Sequence, residues 1–163
     1  MTEYDADFGM KLAEASSLVL AIGGDTQEAM RVVVYISLLS MEISLKAMLE
    51  RAGRDHLRIR SRSHRLSDLS NDLCGCEVEV EIVPGSRMFV SAARLRSNEV
   101  AYENTKITVG RVLNAEKEGA SIYPNEVRYG ESFSHFPPSV LVGTAKAIAT
   151  FAKEHWASLR VKA

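Results

Sequence analysis

Over most of this chain apolar residues recur at three- and four-residue steps, the period of one helix face. Phe8, Leu12, Ala15, Leu18, Val19 and Ile22 make the first stripe, which Gly23-Gly24 ends. A longer one passes through Met30, Val34, Leu38, Met41, Leu45 and Leu49 as far as Gly53, and Asp25 with Glu28 three residues on resembles a capping box at its start. After a loop, Ser63 fits as the N-cap of a short third helix that carries Leu66, Leu69 and Leu73 and ends near Cys74-Gly75. Beyond Pro84-Gly85-Ser86 a helical pattern resumes through Met88, Phe89, Ala92, Ala93 and Val100 and extends toward Glu118. It carries a break or kink across the poor helix formers Thr105, Ile107, Thr108, Val109 and Gly110. From Pro138, a last helix is predicted on Val140, Leu141, Ala145, Ile148, Ala149, Ala152, Trp156 and Leu159, with proline tolerated in its first turn.

One segment departs from this period. Glu77-Val78-Glu79-Val80-Glu81-Ile82-Val83 alternates acidic and β-branched residues, as a strand with one wet face does. It fits either an extended linker laid over the bundle or a strand paired with another, such as the same segment of a second subunit. The fold class predicted is therefore all-α: an antiparallel up-and-down bundle of about five helices with an extended segment near 77–83, in a single domain over residues 1–163.

Composition narrows the function classes. The 163 residues are long enough to bury one core, and a formal net charge of -1 gives no general attraction to nucleic acid or anionic lipid, so any such attraction must be local. No apolar stretch stands out as long enough to span a bilayer and the first residues are acidic, so a cytoplasmic protein with no membrane partner is expected. The two cysteines, Cys74 and Cys76, are too close in sequence for good bridge geometry, and no metal or other cofactor is expected. No Gly-rich phosphate loop or His-Glu metal motif is present.

The candidate chemistry begins on the central helix. Glu42 lies at the edge of the apolar stripe, and Lys46 is one turn on in the favourable order for an ion pair. A carboxylate at the border of a core must find hydrogen bonds, so Glu42 is expected to pair with Lys46 or with His64 at the start of the third helix. Either a structural polar pair or a catalytic carboxylate fits. Arg58, Arg60, Arg62 and Arg65, together with Arg51, Arg54, His56 and His64, form a local basic patch able to contact phosphates. It has no aromatic residues for base stacking, so contact with a nucleic-acid backbone is the form binding would take.

Glu42, Lys46 and Leu49 on the central helix, Gly53 after it, then His64, Leu66 and Leu69, and a later Arg128-Tyr129 after Tyr123-Pro124, follow one another in an order that resembles the HEPN superfamily. The resemblance covers most of the chain. It implies an all-α bundle, commonly a homodimer, in proteins tied to RNA or nucleotide chemistry, toxin–antitoxin pairs and antiviral defence. Some of these have a nucleotidyltransferase antitoxin as partner, and others are metal-independent ribonucleases. In the family's ribonuclease motif an arginine is followed four to six residues later by a histidine, which serves as general base on a ribose 2′-hydroxyl while the arginine stabilises charge on phosphorus.

The sequence departs from that motif. Where it is expected the chain reads Arg96-Ser97-Asn98-Glu99-Val100-Ala101-Tyr102, with Tyr102 in the histidine's place, and a tyrosine's ordinary pKa near 10 suits it poorly as a base. Arg51 with His56 and Arg58 with His64 also fit the spacing, and Arg128 with His135, seven residues on, comes one residue beyond it in a polar loop before the final helix. Catalytic candidates are thus Arg128, His135 and His64, and phosphate-binding candidates Arg58, Arg60, Arg62 and Arg65. Three classes follow: a HEPN-like module that binds RNA, a nucleotide or a partner nucleotidyltransferase; a divergent ribonuclease; and a non-enzymatic helical adaptor.

Overall fold

A computed structural model describes residues 2–23, 25–118 and 136–163. Its elements in chain order are α1 (Ala6–Ile22), α2 (Gln27–Arg51), α3 (His56–Ser61), α4 (Leu66–Asp72), β1 (Cys76–Val83), β2 (Ser86–Ser91), β3 (Glu99–Tyr102), β4 (Thr105–Thr108), α5 (Val109–Asn114), α6 (Pro138–His155) and β5 (Arg160–Val161). Short 3₁₀ turns at Leu73–Gly75, Ala92–Ser97 and Ala115–Glu118 join them. The all-α expectation is overturned, because the five strands form two antiparallel sheets, one ordered β2-β1-β5 and one made of β3 and β4.

The correction is concentrated between residues 76 and 108. The alternating acidic segment is β1, and of the two expectations it follows the paired strand and not the linker: it pairs with β2 of the same chain, Glu79 opposite Phe89 and Val80 opposite Met88, and at its start with β5. Gly85, at φ 81°, turns the chain between them in a conformation that glycine adopts without penalty. Cys76 and Val78 lie in the core while Glu77, Glu79 and Glu81 occupy the opposite face, the placement that a period of two requires. The four- and three-residue steps from Met88 and Phe89 to Ala92 mimic a helix, but a strand able to pair β1's backbone groups outcompetes it. The expected kink near Thr105 is in fact a hairpin, with Glu99 opposite Thr108 and Glu103 at the turn with φ 51°.

The helical core uses the stripes of α2 and α6, whereas α1 turns its small residues inward and leaves Phe8, Leu18 and Ile22 of its stripe exposed. α1, α2 and α6 pack on one another, and Met41, Leu45, Met48, Leu141 and Ile148 are fully buried between them. α1 approaches α2 through small residues: Gly9, Ala13 and Ser16 are buried, and the Ser40 hydroxyl donates to the Gly9 carbonyl at 2.7 Å. A Cβ at Gly9 would sit 3.3 Å from the Ser44 backbone nitrogen and closer still to its hydroxyl, so glycine is what permits this approach. α2 starts from Thr26, whose hydroxyl accepts from Ala29 N–H, in place of the Asp25–Glu28 box. It closes at Gly53, φ 92°, where Arg54 N–H donates to the Leu49 carbonyl at 3.0 Å.

α2 is also long and apolar enough to cross a membrane, with mean hydropathy 1.7 over an 18-residue window, against the expectation that no stretch qualifies. That window is 72% buried within the fold, so α2 serves as the core helix.

Two smaller differences shape the candidate site. The stretch read as a loop before the third helix contains α3, capped by Asp55, whose carboxylate accepts from Arg58 N–H at 3.0 Å. Ser63 is no N-cap: it takes φ 51° in the turn after α3, and α4 begins past Arg65 without a side-chain cap.

Candidate functional site

The centre of the candidate site is Glu42, whose side chain is only 5% exposed on α2. One carboxylate oxygen accepts from Lys46 Nζ at 2.7 Å, and the other lies 2.9 Å from His64 Nδ1. Helical spacing supplies the first contact, since residues four apart share a face. The second comes from the tertiary fold, which carries the turn after α3 back over α2. Lys46, itself buried, also lies 5.2 Å from the centre of the Tyr4 ring. Burial pushes the Tyr4 hydroxyl's pKa up, and the negative charge of Glu3 adds to the effect. A carboxylate this deep is tolerable only when its oxygens are hydrogen-bonded and its charge is matched, and two partners accomplish both. His64 is therefore held through Nδ1 while its side chain is 48% exposed, an anchored imidazole at the molecular surface.

Around it the arginines are gripped one by one. Buried Asp72, at the end of α4, accepts from Arg58 Nη2 at 2.9 Å, Arg62 Nε at 2.7 Å and Arg62 Nη2 at 2.9 Å. Burial works to raise the Asp72 pKa, but the hydrogen bonds from Arg62 and Arg58 outweigh it and hold the carboxyl below its ordinary value. Arg60 donates from Nη2 to Glu3 at 2.9 Å, a bond that lowers the Glu3 pKa. Arg65 caps the Ser61 carbonyl at 2.9 Å and lies 3.3 Å from Asp68. Arg58, Arg60 and Arg65 nonetheless remain exposed. The periodicity gave no sign of Asp72. Its signal is the i, i+4 spacing of Arg58 and Arg62, which calls for one carboxylate between two guanidiniums.

The proposed ribonuclease pairs fare differently. Arg96 is not on a long helix but in the 3₁₀ turn before β3, where it clamps three segments together. Its guanidinium donates to the Ser70 hydroxyl, to Asn114 Oδ1 at 2.7 Å and to the Gly110 carbonyl at 3.4 Å. Tyr102 packs edge-on against Phe136, ring centres 6.0 Å apart. Arg51 donates to the Trp156 carbonyl at 2.9 Å, while His56 sits 3.4 Å from Glu50. Arg58 and His64 are held by different carboxylates. Arg128 and His135, with Tyr123, Pro124 and Tyr129, lie outside the described residues.

Among the described residues no group of three His, Cys, Asp or Glu side chains is placed to hold a metal ion. Burial raises the Cys76 thiol's pKa, which makes it a poor nucleophile, with Arg54 opposing in part. A cavity of about 300 Å³ is lined by Tyr4 together with Asp5, Asp7, Lys153 and Trp156. Comparison with family models, with curated proteins and with solved structures found no match.

Proposed function

We propose that this chain is a HEPN-like module that works by binding, and that its ligand is the phosphate of an RNA or a nucleotide, in a toxin–antitoxin or defence setting that can include a partner nucleotidyltransferase. The observation that carries the reading is the 58–65 segment: four guanidiniums and one imidazole on α3 and the turn after it, each paired with a carboxylate, three of the arginines still exposed. Arginine has five N–H donors, and Arg58 commits one of them to Asp72, so anchoring orients the fork without exhausting it. A guanidinium pre-positioned in this way loses less side-chain entropy on meeting a phosphate than a mobile one does.

A second reading has its own observation. A buried carboxylate gripping Nδ1 of a surface histidine is the arrangement that orients a general base in hydrolytic enzymes, and Glu42 holds His64 in that manner. On this reading the chain is a divergent metal-independent ribonuclease with His64 as base and an arginine of the same turn, or Arg128 with His135, stabilising the phosphorane.

One experiment separates them. Labelled structured RNA is titrated in excess chelator with wild type, Arg58→Ala/Arg65→Ala, His64→Ala, Arg128→Ala and His135→Ala, following anisotropy and cleavage on the same samples. Binding predicts intact RNA and a salt dependence whose slope falls by about one for each phosphate contact removed. Cleavage that disappears in His64→Ala selects the ribonuclease. RNA and nucleotide that neither bind nor react leave the phosphate reading without support.

A further inference from the structure

One edge of the β2-β1-β5 sheet is finished by only two residues. β5 covers Cys76 and Glu77, and the Glu79 N–H, next along that edge, donates to the Ser158 hydroxyl at 3.0 Å in the turn after α6. Backbone groups of successive residues in an antiparallel strand face opposite sides, so Glu79 and Glu81 both turn theirs away from β2, ahead of the bulge between Glu81 and Val83. The Glu79 carbonyl and both backbone groups of Glu81 therefore lie on an edge that no strand among the described residues covers. Cavities flank this edge on both faces of the sheet. One, of about 450 Å³, is lined by the outward-facing Glu79, Glu81 and Arg87 together with Ser158. The other, of about 410 Å³, is lined by Val80 and Ile82, which alternate to the inner face, and by Phe151 of α6. Val80, Glu81, Glu154 and His155 line both, so the two cavities meet along the strand edge.

We infer that this edge takes up an extended segment of a partner protein, in which basic and apolar residues alternate, as an added strand between β1 and the last turn of α6. The inference goes beyond the phosphate reading and does not depend on it. Backbone chemistry is the first argument: an added strand supplies the donors and acceptors that the Glu79 carbonyl and the Glu81 peptide groups lack on that side. Pattern is the second. Side chains of a strand point alternately to its two faces, so every other residue of the guest enters the cavity on the outer face, beside Glu79 and Glu81, and those between enter the one beside Val80, Ile82 and Phe151. Charge is the third. Where the cavities meet the edge carries Glu81 and Glu154 and neither lysine nor arginine, while Arg87 and Arg94 each line only one of the two. Both glutamates are exposed, and Glu154 has no ion-pair partner among the described residues. The same charges exclude other occupants. A second copy of β1 would set glutamate against glutamate across the ladder, which is destabilising, and the carboxylates repel an RNA backbone.

Fluorescence anisotropy of the labelled peptide Lys-Val-Lys-Val-Lys-Val-Lys, titrated with the full chain, tests this. Wild type is expected to bind it saturably, and hydrogen exchange of the Glu81 amide, followed by NMR, is expected to slow in the complex. Glu81→Lys/Glu154→Lys is expected to weaken binding at least about tenfold, since it sets like charges against the guest's lysines. Both positions are exposed, so its circular dichroism should match that of wild type. Asp25→Lys/Glu28→Lys makes the same change of net charge at the start of α2, outside the lining of either cavity, and is expected to bind as wild type does. A peptide of the same sequence, N-methylated at alternate residues, keeps every lysine but loses the amides of one strand edge. Of its two alternating forms, the one methylated on the edge that meets β1 is expected to bind at least about tenfold more weakly. A wild type that does not bind, equal binding by the Glu81/Glu154 variant or by both methylated forms, an unchanged Glu81 amide, or an equal loss in the Asp25/Glu28 variant would each overturn the assignment.

Discussion

Glu42 and Asp72 solve the same problem in two ways. Each is a buried carboxylate that holds two nitrogen-bearing side chains brought in from residues 58–65 or from its own helix. Asp72 is matched by two arginines, which stay charged at any pH the fold survives, one reaching it from α3 and the other from the cap just after it. Glu42 is matched by a buried lysine and by histidine, the side-chain type whose charge changes nearest neutrality. One arrangement is a fixed staple between α3 and α4. The other holds a chemically responsive ring at the surface while its own charge is secured by Lys46. A carboxylate's neighbours therefore decide whether it stabilises a turn or equips it.

The sharpest way to break the comparison is Glu42→Ala. It leaves Lys46 buried without its partner, and loss of about 3–5 kcal/mol is expected in urea unfolding, the range for one-sided removal of a buried pair. A loss below 1 kcal/mol would mean that Lys46 reaches solvent easily and that the two carboxylates are alike. Asp72→Asn is expected to lose less, about 1.5–3 kcal/mol, because it forfeits charge-assisted hydrogen bonds while Arg58 can turn to water.

The same variant carries a pH signature. The folded Asp72 pKa lies below its unfolded one, so the stabilisation is present in full above the unfolded value, near 3.9, and is lost as pH falls through the folded value. The gap in stability between wild type and Asp72→Asn should hold at neutral pH and close in the acid limb, below about pH 4. A gap that stays constant down to the lowest pH would exclude the ion pair as its source.

Smaller effects sharpen the contrast. His64→Ala leaves Glu42 paired with Lys46 and is expected to lower stability by only about 1 kcal/mol, while changing RNA binding or cleavage more than any other single change in the turn. Arg58→Ala, with Arg62 still bidentate on Asp72, should fall within about 0.5–1 kcal/mol of wild type in thermal unfolding. If Arg58→Ala proves as costly as Asp72→Asn, the two guanidiniums act as one unit.

How much of this was readable beforehand depends on the range over which each feature is set. Helices α1, α2 and α6 and the Glu42–Lys46 contact follow from spacing within one element, and the chain shows them without help. The Glu42–His64 contact was one of two partners that the sequence allowed, and the fold realises both at once. Between residues 86 and 108 the local pattern misled, because Met88, Phe89 and Ala92 satisfy a helical period while Met88 and Phe89 pair with β1 and Ala92 opens a 3₁₀ turn. Asp72 went unnoticed, since an aspartate ten residues beyond Arg62 carries no periodic mark.

What the sequence by itself determined is therefore what depends on neighbours three, four or two residues away: the helical stripes, the alternation in β1 and the lysine one turn from Glu42. Tertiary structure alone decided which side of each element is buried, because burial depends on what arrives from elsewhere in the chain. It turned the small side of α1 inward and left Phe8 and Ile22 outside, since the close backbone contact at Gly9 excludes larger side chains. It also chose Asp72 for the arginines and His64 for Glu42, because charge pairing across separate helices is fixed by distance in space and not by distance along the chain.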